Sequence, residues 1–166
     1  MKNTLGTLCA LMAFVFWANV SGAMGPIPTQ EADPLAGKIA YDVTLPTAQG
    51  AQQSLSAAQQ GQKAILVFWA TWCPHCHDEL LRINQKLQDI TAAGIKVILI
   101  DIGESREEVA RYLHKNNIAL DSFVDEDVIV QEPFGIVGVP TLVFLDPKRV
   151  IRHVRYDFPD DYASLF

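Results

Sequence analysis

Two cysteines, Cys73 and Cys76, stand three positions apart in the run Trp72-Cys73-Pro74-His75-Cys76-His77. That spacing suits a small disulfide that opens and closes. The thiolate of one sulfur can attack a target, and the second can then resolve the mixed disulfide. Read on to His77, the same residues spell Cys-x-x-Cys-His, the pattern that attaches a c-type haem. A zinc site needs four ligands, and beyond this pair only scattered histidines such as His114 and His153 are on offer. The hexapeptide alone leaves redox exchange, haem attachment and metal ligation open.

The flanking residues say what must position the sulfurs. Residues 64–70 form a continuous apolar run, which suits a strand buried on both faces. After Cys73 the pattern turns helical, with Leu80, Ile83, Leu87 and Ile90 recurring at helical spacing and Gly94 as the stop. Cys73 therefore falls at a helix N-terminus, where unpaired backbone N–H groups and the positive end of the helix dipole favour a thiolate. Pro74 suits the first turn, because its missing N–H would have been unpaired there. His75 can donate a hydrogen bond to the thiolate or, when protonated, set a charge beside it. Cys76 lies one turn inside the helix, and Trp72 is expected as a partly exposed cover next to the pair. Trp69 reads as core packing.

The chain has 166 residues, about half of them apolar, and a formal charge of −6. This is the size and composition of one globular domain. It offers no basic footprint for nucleic acid and no polybasic membrane patch. At the N-terminus, Lys2, the apolar residues 5–20 and the small residues Ser21-Gly22-Ala23 read as a cleaved export signal of residues 1–23. Such a signal would remove Cys9 and Trp17. Residues 24–37 read as a linker and 38–166 as the folded domain. Only Cys73 and Cys76 remain for an oxidising compartment, and a pair this close closes almost no loop. It is there for reactivity or ligation, not as a staple.

Elsewhere, residues 39–45 suggest an edge strand, 46–62 a loop with one helical turn, and 95–102 a second buried strand. Ser105-Arg106-Glu107-Glu108 is a capping box, opening a helix whose apolar face includes Val109, Tyr112 and Leu113 and which fails at Asn116-Asn117. Asp125-Glu126-Asp127 reads as a solvated turn and 128–134 as a short helix ending at Gly135. Residues 141–145 and 150–156 read as strands of a hairpin, and Phe158 to Tyr162 as the start of a short helix. Together these elements imply an α/β fold, a mixed sheet with helices on its faces.

Phe68-Trp69-Ala70-Thr71-Trp72-Cys73-x-x-Cys76 resembles the active-site strand and turn of the thioredoxin superfamily. Gly138-Val139-Pro140-Thr141 resembles that family's cis-proline loop, in which the residue before proline pairs with an extended substrate segment. The chain is most similar to the exported TlpA/ResA/CcmG-like members, over roughly residues 39–156. The resemblance implies a thioredoxin fold and no cofactor or metal. Cys73 would attack, Cys76 would resolve and the two would form the disulfide, with Val139 and Pro140 shaping the substrate groove. Glu79 matches a family glutamate; at that spacing it shares a helix face with Cys76 and could move its proton, or it is simply an acid favoured by the helix dipole.

Two departures pull in different directions. Val67 stands where thioredoxins carry a buried aspartate, and Pro74-His75 is the dipeptide of the oxidant DsbA. The resemblance implies an exported, periplasmic thiol–disulfide oxidoreductase, monomeric, acting on proteins with cysteine pairs. Its family role is that of a reductase in cytochrome c maturation, taking electrons from a membrane redox partner and passing them to apocytochrome c. The dipeptide favours a DsbA-like oxidant instead, and a non-catalytic binding module is the third alternative.

Overall fold

In the computed structural model the described residues are 33–166. The signal expected at residues 1–23, with Cys9 and Trp17, and the linker as far as residue 32 fall outside them. Among the described residues no helix is long and apolar enough to cross a membrane.

The chain runs β1 (Thr44–Pro46), β2 (Gln52–Ser54), α1 (Leu55–Gln59), β3 (Lys63–Trp69), α2 (Pro74–Gln85), α3 (Leu87–Ala92), β4 (Ile95–Ile102), α4 (Arg106–Lys115), β5 (Ser122–Asp125), β6 (Thr141–Leu145) and β7 (Ile151–Arg155). One 3-10 turn, Tyr162–Ser164, follows. Five strands make the central sheet in the order β5-β4-β3-β6-β7, while β1 and β2 form a separate hairpin. β4 runs parallel to both β3 and β5; β6 is antiparallel to β3 and to β7. The sheet is therefore mixed, with β3 at its centre.

Strand alternation divides the core. Ile65, Val67 and Trp69 of β3 point to the side covered by α2, α3 and α4, where they meet Leu80, Ile83, Ile90, Leu99 and Val109. Leu66 and Phe68 point to the other side, with Ile98, Ile100, Val143 and Phe134. That side is covered by α1, the β1–β2 hairpin and the loop after β5 rather than by long helices. With both faces covered, residues 64–70 are all 0% exposed, which is why the run is continuously apolar instead of alternating.

Several local expectations change. The strand expected at 39–45 begins only at Thr44, and Ile39 makes an isolated bridge to Val150. The segment 46–62 holds a strand, β2, as well as the expected helical turn. The single helix after Cys73 is two: at Lys86 the N–H is shared between the carbonyls of Arg82 and Ile83, tightening the chain before α3 starts. Ile83 and Ile90 keep one buried face across the break, so the periodicity alone hides it.

β5 has no counterpart in the sequence reading, and Asp125 at its end is buried rather than solvated. Its carboxylate accepts the backbone N–H groups of Ile129 and Val130, at 3.0 and 2.9 Å. Val128 takes a positive φ of 57°, and residues 129–135 wind through turns, so the expected helix at 128–134 does not form. The expected strand at 150–156 is shorter by a residue at each end. The capping box at Ser105 and the helix end at Asn116 are as read from the sequence.

Candidate functional site

β3 delivers the chain from the centre of the sheet into the loop Ala70-Thr71-Trp72, and α2 begins at Pro74 with Cys73 as its N-cap. Cys73 has extended backbone angles, and its Sγ accepts the N–H of Cys76 at 3.1 Å. The two sulfurs are joined as a disulfide with Cα atoms 5.3 Å apart. Cys73 is 5% exposed and Cys76 only 1%, so the outer sulfur is the one a partner can approach. Pro74 and His75 lie exposed on the first turn, and Trp72 is 70% exposed beside them.

The register of the sheet brings the second half of the site. β6 starts at Thr141, which pairs with Phe68 near the end of β3. Residues just ahead of Thr141 must therefore sit beside the loop that carries the cysteines. The Val139–Pro140 peptide bond is cis. The Thr141 hydroxyl donates to the Gly138 carbonyl at 2.7 Å and ties this turn together. The Val139 carbonyl oxygen lies 3.5 Å from Cys73 Sγ.

A groove of about 420 Å³ is walled by His75, Glu79, Val137, Val139, Pro140 and Tyr156, and it adjoins the disulfide through Val139, whose carbonyl is the one near Cys73. Val137 is 85% exposed and Tyr156 63%, an apolar rim that no local pattern places here. Glu79 is held on both sides. Its carboxylate accepts the Phe158 backbone N–H at 2.9 Å and the Arg82 guanidinium at 3.2 Å, tying α2 to the segment after β7. His77, the ligand in a haem reading, turns instead to α4, with Nδ1 2.8 Å from the Tyr112 hydroxyl.

Behind the loop stands a residue the sequence reading missed. Glu104 accepts hydrogen bonds from both the N–H and the hydroxyl of Thr71, two residues before Cys73. The two residues are 33 positions apart, and no local pattern links them. Gly103, at φ 81°, makes the turn that aims Glu104 back at the loop; a side chain there would be strained.

The arrangement can do one thing well. Opening the disulfide would leave Cys73 Sγ as a charged acceptor facing a helix N-terminus, with an N–H already directed at it. A groove beside it offers a backbone carbonyl and apolar walls.

A central mixed sheet flanked by helices, with Cys-x-x-Cys at the start of α2 and a cis-proline across from it, is the thioredoxin fold. The AhpC/TSA family model matches residues 36–154. The chain is 30% identical over 148 residues to the thiol:disulfide interchange protein DsbE of Escherichia coli, covering 87% of this chain and 77% of that one. It is 21% identical over 147 residues to the thiol-disulfide oxidoreductase ResA of Geobacillus thermodenitrificans, covering 89% and 80%. Among solved structures, the thioredoxin domain of a thiol-disulfide oxidoreductase from Bacteroides vulgatus superimposes with a TM-score of 0.69 at 20% identity, covering 78% and 93%. The chain belongs to the AhpC/TSA family, among its thioredoxin-like thiol–disulfide oxidoreductases of the TlpA/ResA/CcmG type.

Proposed function

We propose that this protein is an exported reductase of protein disulfides, working through Cys73-Pro74-His75-Cys76. The observation that carries the reading is the position of Cys73: the N-cap of α2, with the Cys76 N–H on its sulfur and the Val139 carbonyl beside it. In the reaction, the Cys73 thiolate attacks one sulfur of a substrate disulfide. That S–S bond breaks, and the leaving sulfur departs as a thiolate that takes a proton from solvent. The Cys76 thiolate then attacks Cys73, releasing the second substrate thiol and closing Cys73–Cys76. Two electrons have moved to the substrate. A membrane redox partner returns them.

Residues 1–23 act as the export signal and 24–37 as a linker to the thioredoxin-like domain at 38–166. His75 tunes the thiolate, Trp72 covers it, and Val139 with Pro140 holds an extended substrate segment by strand addition. Glu79, on the groove wall, either moves the proton of Cys76 or serves only to tie α2 to the segment after β7, through the two hydrogen bonds that hold it. The similarity to DsbE and ResA supports thiol–disulfide exchange; the family resemblance adds a periplasmic place and a role in cytochrome c maturation, with apocytochrome c as the disulfide substrate.

The dipeptide Pro74-His75 favours a second reading, a DsbA-like oxidant, because a stabilised thiolate makes the reduced form more stable. Equilibrating the Cys73–Cys76 couple against glutathione decides between them. A potential near that of thioredoxin, about −270 mV, supports the reductase; one near that of DsbA, about −120 mV, overturns it.

A further inference from the structure

Asp101 ends the buried run of β4. Its residue is 0% exposed, and neither carboxyl oxygen has a hydrogen-bond partner. It follows Val97 and Leu99 on the sheet face that packs against α2 and α4, and it pairs across the sheet with Trp69, four residues before Cys73. A carboxyl group with no donor in such a place is costly as a charge and tolerable as a neutral acid.

The neighbours fix which acid keeps the proton. Glu104 has both carboxylate oxygens engaged by donors of Thr71. Asp101 has no donor in good hydrogen-bond geometry; the Glu104 backbone N–H nearby offsets only a small part of the effect of burial. Burial first, and the Glu104 carboxylate second, push Asp101 up to about 8. From α4, Glu108 adds a further negative charge and is itself held low by the Ser105 cap, with Arg111 nearby. Tyr112, also on α4, is raised by burial and by the charges of Asp78 and Glu104, and it meets His77 of α2. From β5, Ser122 faces inward but spends its hydroxyl on the Phe123 carbonyl while accepting the Trp69 indole N–H. Asp125 of the same strand is committed to the N–H groups of Ile129 and Val130. No cation among these reaches the Asp101 carboxyl.

We propose that Asp101 and Glu104 form a positioning pair for the Cys73–Cys76 couple: Glu104, as a carboxylate, clamps the loop at Thr71, and Asp101, as a neutral acid, lets that carboxylate keep its charge. Loss of the Asp101 proton puts a buried negative charge beside the half-buried Glu104 carboxylate. The clamp then loosens, and with it the geometry that aims the Cys76 N–H at Cys73. The pair rests on the couple being redox-active, and it holds whichever way electrons flow.

The test begins with the oxidised protein, in which the cysteines do not titrate. Trp72 adjoins Thr71, so tryptophan fluorescence followed from about pH 7 to about pH 9.5 reports the loop, with an inflection expected near the Asp101 value of about 8. Asp101→Asn should abolish the inflection, and Glu104→Gln should move it to lower pH. In the reduced protein, Glu104→Gln should slow exchange with oxidised glutathione roughly tenfold at neutral pH through misplacement of the loop. Asp101→Asn should stay within about twofold there and lose the wild-type decline, relative to thiolate fraction, at alkaline pH. An inflection that survives in Asp101→Asn, or a Glu104→Gln rate equal to wild type throughout, overturns the proposal.

Should either variant fail to fold, the carboxyl ¹³C resonance of Asp101 in the oxidised wild type decides: a midpoint near about 8 supports the pair, and an ordinary aspartate midpoint near about 4 overturns it. Absence of any exchange in the wild type would sink the oxidoreductase reading instead, leaving both titrations in the oxidised protein readable.

Discussion

α2 and α4 begin at the same edge of the sheet, each following a parallel strand and each capped by a side chain that accepts the N–H three residues on. At α4 the cap is the Ser105 hydroxyl, taking the Glu108 N–H, while the Glu108 carboxylate returns a bond to the Ser105 N–H. The cap and its reciprocal bond close on each other within one turn. At α2 the cap is the Cys73 sulfur, a weak acceptor, and the first turn holds no acid. Its donors and dipole are left for a charge that appears only when the disulfide opens. One helix start is closed for stability, the other is kept open for chemistry.

The largest effect comes from exchanging one kind of cap for the other. Cys73→Ser gives α2 a hydroxyl cap like that of α4, and exchange should fall by roughly a thousandfold or more, since a hydroxyl without an activating base is a poor nucleophile. At a pH low enough for Cys73 to be a neutral thiol, the variant's stability to urea should equal that of the reduced wild type, because serine is a preferred cap. A loss above about 1 kcal/mol would mean that the sulfur is a structural cap after all, and the contrast would collapse.

A smaller effect tests what lies between the two helix starts. Asp101 has its pKa raised on folding, so the unfolded chain gives up this proton at lower pH than the folded one. The neutral acid's contribution is complete below the unfolded value, declines as pH rises, and is lost once pH passes the folded value of about 8. Asp101→Asn, which cannot ionise, should therefore gain on the wild type as pH is raised from about 4 to about 8. The gain should grow by at most about 1.4 kcal/mol for each pH unit across that window and then level off. Urea melts at several pH values measure it; a difference that does not vary with pH would place the proton elsewhere.

The smallest effect belongs to the closed cap. Ser105→Ala should cost about 1 kcal/mol in stability. The glutathione equilibrium of the cysteine pair should not change, because the loss is confined to the start of α4. A shift in that equilibrium would show that the two helix starts are coupled through Glu104.

Much of this was legible in the chain. β3, β4 and β6 stand out because strands covered on both faces must be apolar throughout, and α4 announces itself through Ser105 and Glu108. β5 was not legible. Ser122-Phe123-Val124-Asp125 is short and polar at both ends, and its polar residues are buried only because Trp69 and the backbone of Ile129 and Val130 supply partners. The helix expected at 128–134 does not form because the Asp125 carboxylate, which no local pattern points to, draws the backbone of Ile129 and Val130 into a different path.

The reactive pair and its immediate setting follow from residues adjacent in the chain. An apolar run, two cysteines three apart and a proline at the first helical position act through neighbours along the chain, so a strand, a turn and a helix start follow from local pattern. Tertiary structure decided the rest. The antiparallel register of β3 and β6 carries Val139 to within 3.5 Å of a sulfur 66 residues earlier, and the turn at Gly103 sends Glu104 to Thr71. Those contacts depend on which strands pair and how deeply a carboxyl is buried, quantities set by the packing of the whole sheet and absent from any local spacing.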